Sequence, residues 1–176
     1  MKKFISILLL ILTLSMMLSS CNLLQTNTQT ATNTNTDSNI VQKEDYSNLF
    51  INCPISIRAS YYTSDQTLTI TAKNNGNKTI SAIKYLIVVY DVYGDTLKQY
   101  GYGSSALTAT YDKFNINSGS NGIGDWKLNG FSNGKSLDIY IYSVYYSDGK
   151  EWGCRDLTIS DIINFAPKEY VFGSYA

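Results

Sequence analysis

Apolar and polar residues alternate along much of the chain after residue 52, which is the period-two pattern of half-buried β-strands. The first two runs place these residues on one face: Cys53, Ile55, Ile57, Ala59 and Tyr61, followed by Leu68, Ile70 and Ala72. The turn sequence Asn74-Asn75-Gly76-Asn77 comes directly after the second run. The pattern therefore predicts two successive strands, each with one buried face.

Residues 80–92 are apolar on both faces, as expected for a central strand that is covered on both sides. Further strands are predicted over four segments: 96–100, 106–114, 124–128 and 137–146. Loops rich in Gly, Ser and Asn separate them, and no segment has the pattern of a crossover helix. Several short strands joined in this way predict an all-β fold, an antiparallel β-sandwich.

The last hairpin is predicted to turn through Ser147-Asp148-Gly149-Lys150. Asp-Gly suits the two central positions of a type I′ turn, where positive φ is required. The opposing pairs in that register are Tyr145 with Trp152 and Ser143 with Cys154. Trp152 and Cys154 then share the core side with Ile139 and Ile141.

The N-terminal segment has the layout of an export signal. Lys2 and Lys3 precede a mostly apolar run over residues 4–18, which is shorter than the roughly 20 apolar residues of a membrane-spanning helix. The run ends in Leu18-Ser19-Ser20-Cys21, which resembles the lipobox of bacterial lipoproteins. That resemblance implies that residues 1–20 are a cleaved lipoprotein signal peptide and that the Cys21 sulfur carries a diacylglycerol. The alternative is an ordinary signal peptide with a coincidental cysteine.

A lipid on Cys21 makes the membrane the partner of the N-terminus, and two or more acyl chains suffice for stable anchoring. The implied location is extracytoplasmic, on the outer face of the cell membrane. Residues 21–45 are rich in Thr and Asn and offer no apolar face, so we expect a disordered tether. Residues 46–176 have the length of one domain, with a short C-terminal tail in which Ser160-Asp161 is predicted to cap a helical turn that ends at Pro167.

Residues Ile87-Val88-Val89-Tyr90-Asp91 resemble the FxLYD motif of small bacterial immunoglobulin-like domains, with Ile87 and Val89 in place of Phe and Leu. The turn Tyr93-Gly94-Asp95, the later Trp126 and the hairpin Tyr146-Ser147-Asp148-Gly149 are similar to features of related lipoprotein domains of unknown function. The resemblance implies an immunoglobulin-like antiparallel β-sandwich of about seven to nine strands. It brings no catalytic residues.

Cys53 and Cys154 form an even pair in a domain that is expected outside the cytoplasm. A disulfide between them is the default expectation. The alternative is two separate buried thiols that behave as small apolar residues.

The chain has no histidine, which removes the most common general base and metal ligand. Carboxylate chemistry stays open at Asp91 with Asp95, or at Asp125 beside Trp126, but aspartates at turns ordinarily bond the nearby backbone. Without Lys2 and Lys3 the chain carries 12 basic and 14 acidic residues, a net charge of −2 that gives no reason to expect a nucleic-acid partner. We therefore predict a protein that is not an enzyme and has no cofactor or metal.

The chain contains 15 tyrosines, and Tyr140, Tyr142 and Tyr146 are predicted to share the face opposite Ile139 and Ile141. Such a face would present an aromatic stripe to solvent, which suits stacking on sugars or anchoring a protein. The alternative is that tyrosine simply favours strands. The sequence thus predicts a non-catalytic binding or structural module on a surface lipoprotein. Its expected partners are a cell-wall glycan or a surface protein, with a hydrolase-accessory role as the alternative.

Overall fold

Eight β-strands make up nearly half of residues 44–174, which are the residues that the computed structural model describes. They are β1 (Ile55–Tyr62), β2 (Thr67–Asn74), β3 (Ile80–Tyr90), β4 (Ala106–Tyr111), β5 (Asn121–Lys127), β6 (Ser136–Tyr146), β7 (Glu151–Gly153) and β8 (Lys168–Ser174). Within the same residues, a single α-helix, α1 (Ile159–Phe165), precedes β8, and 3-10 turns occupy Ser47–Phe50 and Gln99–Gly101. The predicted all-β sandwich of about seven to nine strands is confirmed.

The strands form one mixed sheet in the order β4-β3-β6-β8-β1-β2-β5, with β7 on the remaining part of the β6 edge. Every pair is antiparallel except β1 and β8, whose register Tyr61 to Gly173 and Tyr62 to Ser174 is parallel. The prediction of a purely antiparallel fold is wrong at this pair. It failed because no strand was predicted in the C-terminal tail, where β8 forms.

The larger hydrophobic cluster fills the interior between the β3–β6 half of the sheet and the β1–β2–β5 half. The predicted alternation of β1 and β2 is confirmed, because Ile55, Tyr61, Leu68, Ile70 and Ala72 are all buried there. Tyr85 and Phe131, which are among the largest fully buried side chains, belong to the same cluster.

A second, smaller cluster lies on the outer face of β3, β4 and β6, beneath α1. Its buried members are Leu86, Val88, Ala106, Tyr140, Tyr142 and Ile162. The prediction that residues 80–92 form a strand covered on both faces is therefore confirmed for β3, which ends at Tyr90.

The N-cap of α1 lies two residues before the predicted cap Ser160. Thr158 has extended backbone angles, and its Oγ1 accepts the Asp161 N–H at 3.2 Å and donates to Asp161 Oδ2 at 2.6 Å. Thr158 is therefore the N-cap, and the prediction of Ser160 as cap is wrong. The predicted end is confirmed, because Ala166 leaves the helical conformation directly before Pro167.

Residues 96–100 do not form the predicted strand. Thr96 makes one isolated bridge to Tyr90, and the chain then bonds to itself through Gly101 N–H to Lys98 O and Gly103 N–H to Gln99 O. These local hydrogen bonds satisfy the backbone groups that a strand would have offered to a neighbour.

The register of the last hairpin is shifted by one residue from the prediction. Val144 lies opposite Trp152, and Tyr145 lies opposite Glu151. The loop has three residues instead of two, because the Gly149 N–H bonds Tyr146 O and Gly149 adopts φ of 83°. The loop is a turn followed by a residue in the left-handed conformation. The Asp-Gly pair permits this three-residue loop as well as the predicted two-residue turn.

We expect Gly173→Ala to destabilise the domain, because a Cβ at residue 173 would lie 2.8 Å from Lys135 O and 2.5 Å from Thr63 Cγ2. Backbone that cannot yield at such a contact costs about 1–3 kcal/mol in the free energy of unfolding. Gly76→Ala is the matched control, because its nearest contact would be 3.4 Å. Urea denaturation measures both, and equal midpoints for the two variants would contradict this account of β8.

Candidate functional site

The predicted lipidation site Cys21, the segment 1–20 and nearly all of the tether lie outside the described residues. The lipid anchor, the cleaved signal peptide and the disordered tether therefore remain predictions. Within residues 44–174, no helix is long and apolar enough to cross a membrane.

No disulfide bond joins Cys53 and Cys154 in the structure, so the expected bridge is not formed and the alternative of two separate thiols describes them. Cys53 packs against the interior cluster, where burial raises the pKa of its thiol. Cys154 lies beyond the end of β7 and donates its backbone N–H to Tyr142 O at 2.9 Å. The bridge depended on Cys154 facing Ser143, but Gly153 occupies that position.

The prediction of a solvent-facing stripe of Tyr140, Tyr142 and Tyr146 is wrong. Tyr140 and Tyr142 are only 3% and 4% exposed, because α1 covers the outer face of β6 and packs Ile162 against them. Tyr146 packs instead against the interior cluster. A register irregularity between β3 and β6 causes this change of face, because Tyr142 is an extra residue between the paired positions.

Two of the carboxylates considered for hydrolysis, Asp91 and Asp125, serve local structure. Asp91 Oδ1 accepts the backbone N–H groups of Tyr93 and Asp95, at 2.8 and 3.0 Å, and so closes the turn after β3. Asp125 Oδ1 accepts the Thr69 hydroxyl at 2.6 Å across the β2–β5 pair.

A buried carboxylate that the sequence analysis did not single out lies at the centre of the outer face. Asp138 on β6 is 4% exposed, and its Oδ2 accepts hydrogen bonds from Tyr90 Oη at 3.0 Å, Tyr140 Oη at 3.2 Å and Lys168 Nζ at 2.9 Å. The donors come from β3, β6 and β8, so one oxygen atom connects three neighbouring strands. We call these four residues the Asp138 network.

The network shifts the proton affinity of its donors. Burial raises the pKa of Tyr90 well above its usual range, and the bond to Asp138 adds to the effect. Burial and Asp138 also raise the pKa of Tyr140, and the Asp138 bond raises the pKa of Lys168. Both hydroxyls therefore remain protonated donors at neutral pH, and the lysine remains a cation. This arrangement satisfies a desolvated charge and fastens β8 to β6.

Loops at one end of the sheet lie together, and we call this end the loop pole. It contains residues 63–66, 91–105 and 128–135 and the end of β8, because β1, β3, β5 and β8 all end there while β2, β4 and β6 begin there. Residues 75–79, 112–120 and 147–150 form the opposite pole. The loop pole carries two clefts.

The first cleft, of about 320 Å³, lies between the turn after β3 and the end of β8. Its lining includes Tyr93, Tyr170 and Phe172, which are 86%, 58% and 72% exposed. Tyr170 and Phe172 lie on the same outer face of β8 as Lys168, opposite Asp138 and Ser136. The Asp138 network therefore fixes the strand that presents these two rings. Exposed aromatic residues do occur on a sheet surface, but on β8 instead of β6.

The second cleft, of about 510 Å³, shares no lining residue with the first. Residues 97–101 and 130–133 form its walls, and Tyr100 is its exposed aromatic side chain. Both volumes fall in the range of small-molecule sites, roughly 300–1,000 Å³. Each cleft combines aromatic rings with polar side chains, which suits binding by contact area and a few hydrogen bonds.

We expect Asp138→Ala to lower the free energy of unfolding by roughly 2–4 kcal/mol, because it leaves one buried hydroxyl, one partly buried hydroxyl and a lysine without their shared acceptor. The matched control is Lys78→Ala, which breaks the exposed ion pair of Lys78 Nζ with Asp148 at 2.8 Å and should cost less than about 1 kcal/mol. Chemical denaturation compares the two. Similar losses would show that the Asp138 network does not stabilise the sheet.

Comparison with known proteins identifies distant structural neighbours. No family model and no curated protein matches the chain. The chain is similar in structure to a hypothetical protein from Peptoclostridium difficile 630, with 13% sequence identity and a TM-score of 0.44 over 67% of this chain and 94% of that one. It is also similar to a target of the Northeast Structural Genomics Consortium, with 11% identity and a TM-score of 0.34 over 68% of this chain and 84% of that one.

Proposed function

We propose that this protein is a lipid-anchored bacterial surface protein whose β-sandwich is a non-catalytic binding module. The observation that carries the proposal is the loop pole, where four exposed aromatic side chains flank two clefts: Tyr93, Tyr100, Tyr170 and Phe172. Aromatic side chains supply a large contact area for a small loss of conformational entropy when they bind a partner.

The path of the chain supports ligand access to this pole. Tyr46 stacks edge-on against Phe165 of α1, with ring centroids 5.9 Å apart, and Phe50 stacks against Trp152. The chain then enters β1 at the pole opposite the clefts. The first described residues therefore contact α1 and β7 instead of the loop pole.

A binding role also agrees with how the carboxylates are used. Asp91 closes a turn, Asp125 bonds a neighbouring strand, and Asp138 has three donors on one oxygen. Each carboxylate has a local structural role, whereas glycoside hydrolysis needs a pair that faces the scissile bond. This use of the carboxylates supports a binding module over a hydrolase.

The anchor is tested by replacing Cys21 with Ser in the full-length chain. We expect cells that express the unaltered protein to incorporate radiolabelled palmitate into it, and Cys21→Ser to abolish the label because the acceptor sulfur is absent. Cys53→Ser is the control and should keep the label. A label that persists in Cys21→Ser would contradict lipidation at this residue.

The binding surface is tested by photo-crosslinking in intact cells of the native host. A benzophenone amino acid replaces Phe172 at the loop pole or, as matched control, Phe114 at the opposite pole; the two phenylalanines are 72% and 75% exposed. We expect illumination to yield a discrete adduct of higher mass only from position 172. Equal adducts at both positions, or none at 172, would argue against a binding site at the loop pole.

A further inference from the structure

We infer that the cleft beside Tyr100 is a subsite for an acidic saccharide, meaning a sugar that carries a carboxylate or a phosphate. This inference rests on the proposed binding function and names its ligand class. The cleft encloses about 510 Å³ and is lined by Leu97, Lys98, Tyr100, Gly101, Gly130, Phe131, Ser132 and Asn133. Its size and mixed lining suit a small polar ligand with one apolar face.

Tyr100 occupies a backbone conformation that is unfavourable for its residue type. Its φ of 54° and ψ of 19° lie in the left-handed region, which costs a residue with a side chain of order 1–3 kcal/mol. Such a conformation persists only where the surroundings enforce it. The Tyr100 N–H bonds Gly130 O at 2.9 Å, and the Gln99 side chain bonds Asn129 O at 2.9 Å.

Gly130 also brings the backbone close to the Tyr100 ring. A Cβ at residue 130 would lie 3.0 Å from the ring atoms Cγ and Cδ2, and Gly130 itself has φ of 93°. The ring is thus held against the loop of residues 129–133 and nevertheless remains 61% exposed. An aromatic face that is fixed before binding loses little entropy when a sugar ring stacks on it.

Polar groups around this ring are available to a ligand. Within residues 44–174, the side chains of Lys98, Ser132 and Asn133 make no hydrogen bond or ion pair, and all three are exposed. A hydroxyl and a carboxamide can donate to and accept from sugar hydroxyls, whereas an ammonium only donates. The three groups therefore match the alternating donors and acceptors of a saccharide.

The charge of the lining residues indicates the sign of the charge on the ligand. Lys98 is a cation, and none of the other seven lining residues is charged at neutral pH. A single exposed ammonium adds modest electrostatic attraction, which favours a carboxylate or phosphate over a neutral sugar. The first cleft is different, because it combines Asp91 with Lys135 and so has no such preference.

The inference is tested with the full-length protein in detergent by affinity electrophoresis in gels that contain polygalacturonate, alginate, teichoic acid or dextran. We expect at least one of the three acidic polymers to retard the protein at least tenfold more strongly than dextran does. Tyr100→Gly should abolish the retardation while relieving the backbone strain, so loss of folding does not explain the result. Tyr100→Phe keeps the ring and should stay within threefold of the unaltered protein.

Two further variants make the assignment specific. Tyr102→Ala is the matched control, because Tyr102 is 86% exposed and does not line the cleft. Lys98→Gln should reduce the preference for acidic polymers over dextran at least threefold. The inference is overturned if no acidic polymer retards the protein, if dextran does so equally, or if Tyr100→Gly has no effect. Should Phe172→Ala abolish retardation and Tyr100→Gly leave it intact, the binding function would stand and this subsite would not.

Discussion

The insertion of β8 between β6 and β1 holds the two halves of the sheet together. The strand pairs with β6 from Ser136 to Tyr140 and with β1 at Tyr61 and Tyr62. Without it, one edge of β6 and one edge of β1 would expose unpaired backbone groups. Two further bonds secure its end, from Gly173 N–H to Lys135 O at 2.7 Å and from Thr63 N–H to Ser174 O at 3.0 Å. The first of these requires the close approach that only glycine permits at residue 173.

The Asp138 network gives this insertion a defined register. Parallel pairing over two residues specifies position weakly, whereas a desolvated carboxylate tolerates little displacement of its partners. Lys168 reaches Asp138 Oδ2 only when β8 lies with Tyr170 opposite Asp138. Tyr90, in the segment that resembles the FxLYD motif, supplies a hydroxyl to the same oxygen atom. The motif tyrosine thus helps to stabilise the position of the C-terminal strand, which in turn sets one wall of a cleft at the loop pole.

The strands that are buried on one face or on both could be predicted from the sequence. Prediction failed where the tertiary structure changes the face of the sheet on which a side chain lies. Ile55 and Tyr61 alternate cleanly with exposed neighbours, so β1 was predictable from period two alone. Strand β6 is buried on both faces like β3, yet its tyrosines were assigned to solvent because a hydroxyl permits either environment. The extra residue at Tyr142 then moved Tyr146 to the interior, and no local pattern encodes such a bulge.

The run Tyr170-Val171-Phe172 after Pro167 was an available signal for β8, but its partners are more than 25 residues away from it along the chain. The left-handed conformation of Tyr100 arises from hydrogen bonds to residues 129–130, which sequence spacing does not reveal.

The distribution of aromatic residues separates those that stabilise the fold from those that are available for binding. Tyr61, Tyr85 and Tyr140 are almost fully buried, so the domain can enclose such side chains where packing needs them. Phe172 instead keeps 72% of its surface in water, and each large apolar side chain left exposed forgoes roughly 1.5–3 kcal/mol of burial free energy. Scattered exposed rings need no explanation. Rings that converge on clefts at one pole do need an explanation. A buried charge fixes the strand that carries two of these rings, and backbone strain accompanies a third. A partner that covers these rings would recover burial free energy that folding alone leaves unused, which is the physical basis for our proposal that this pole binds a partner.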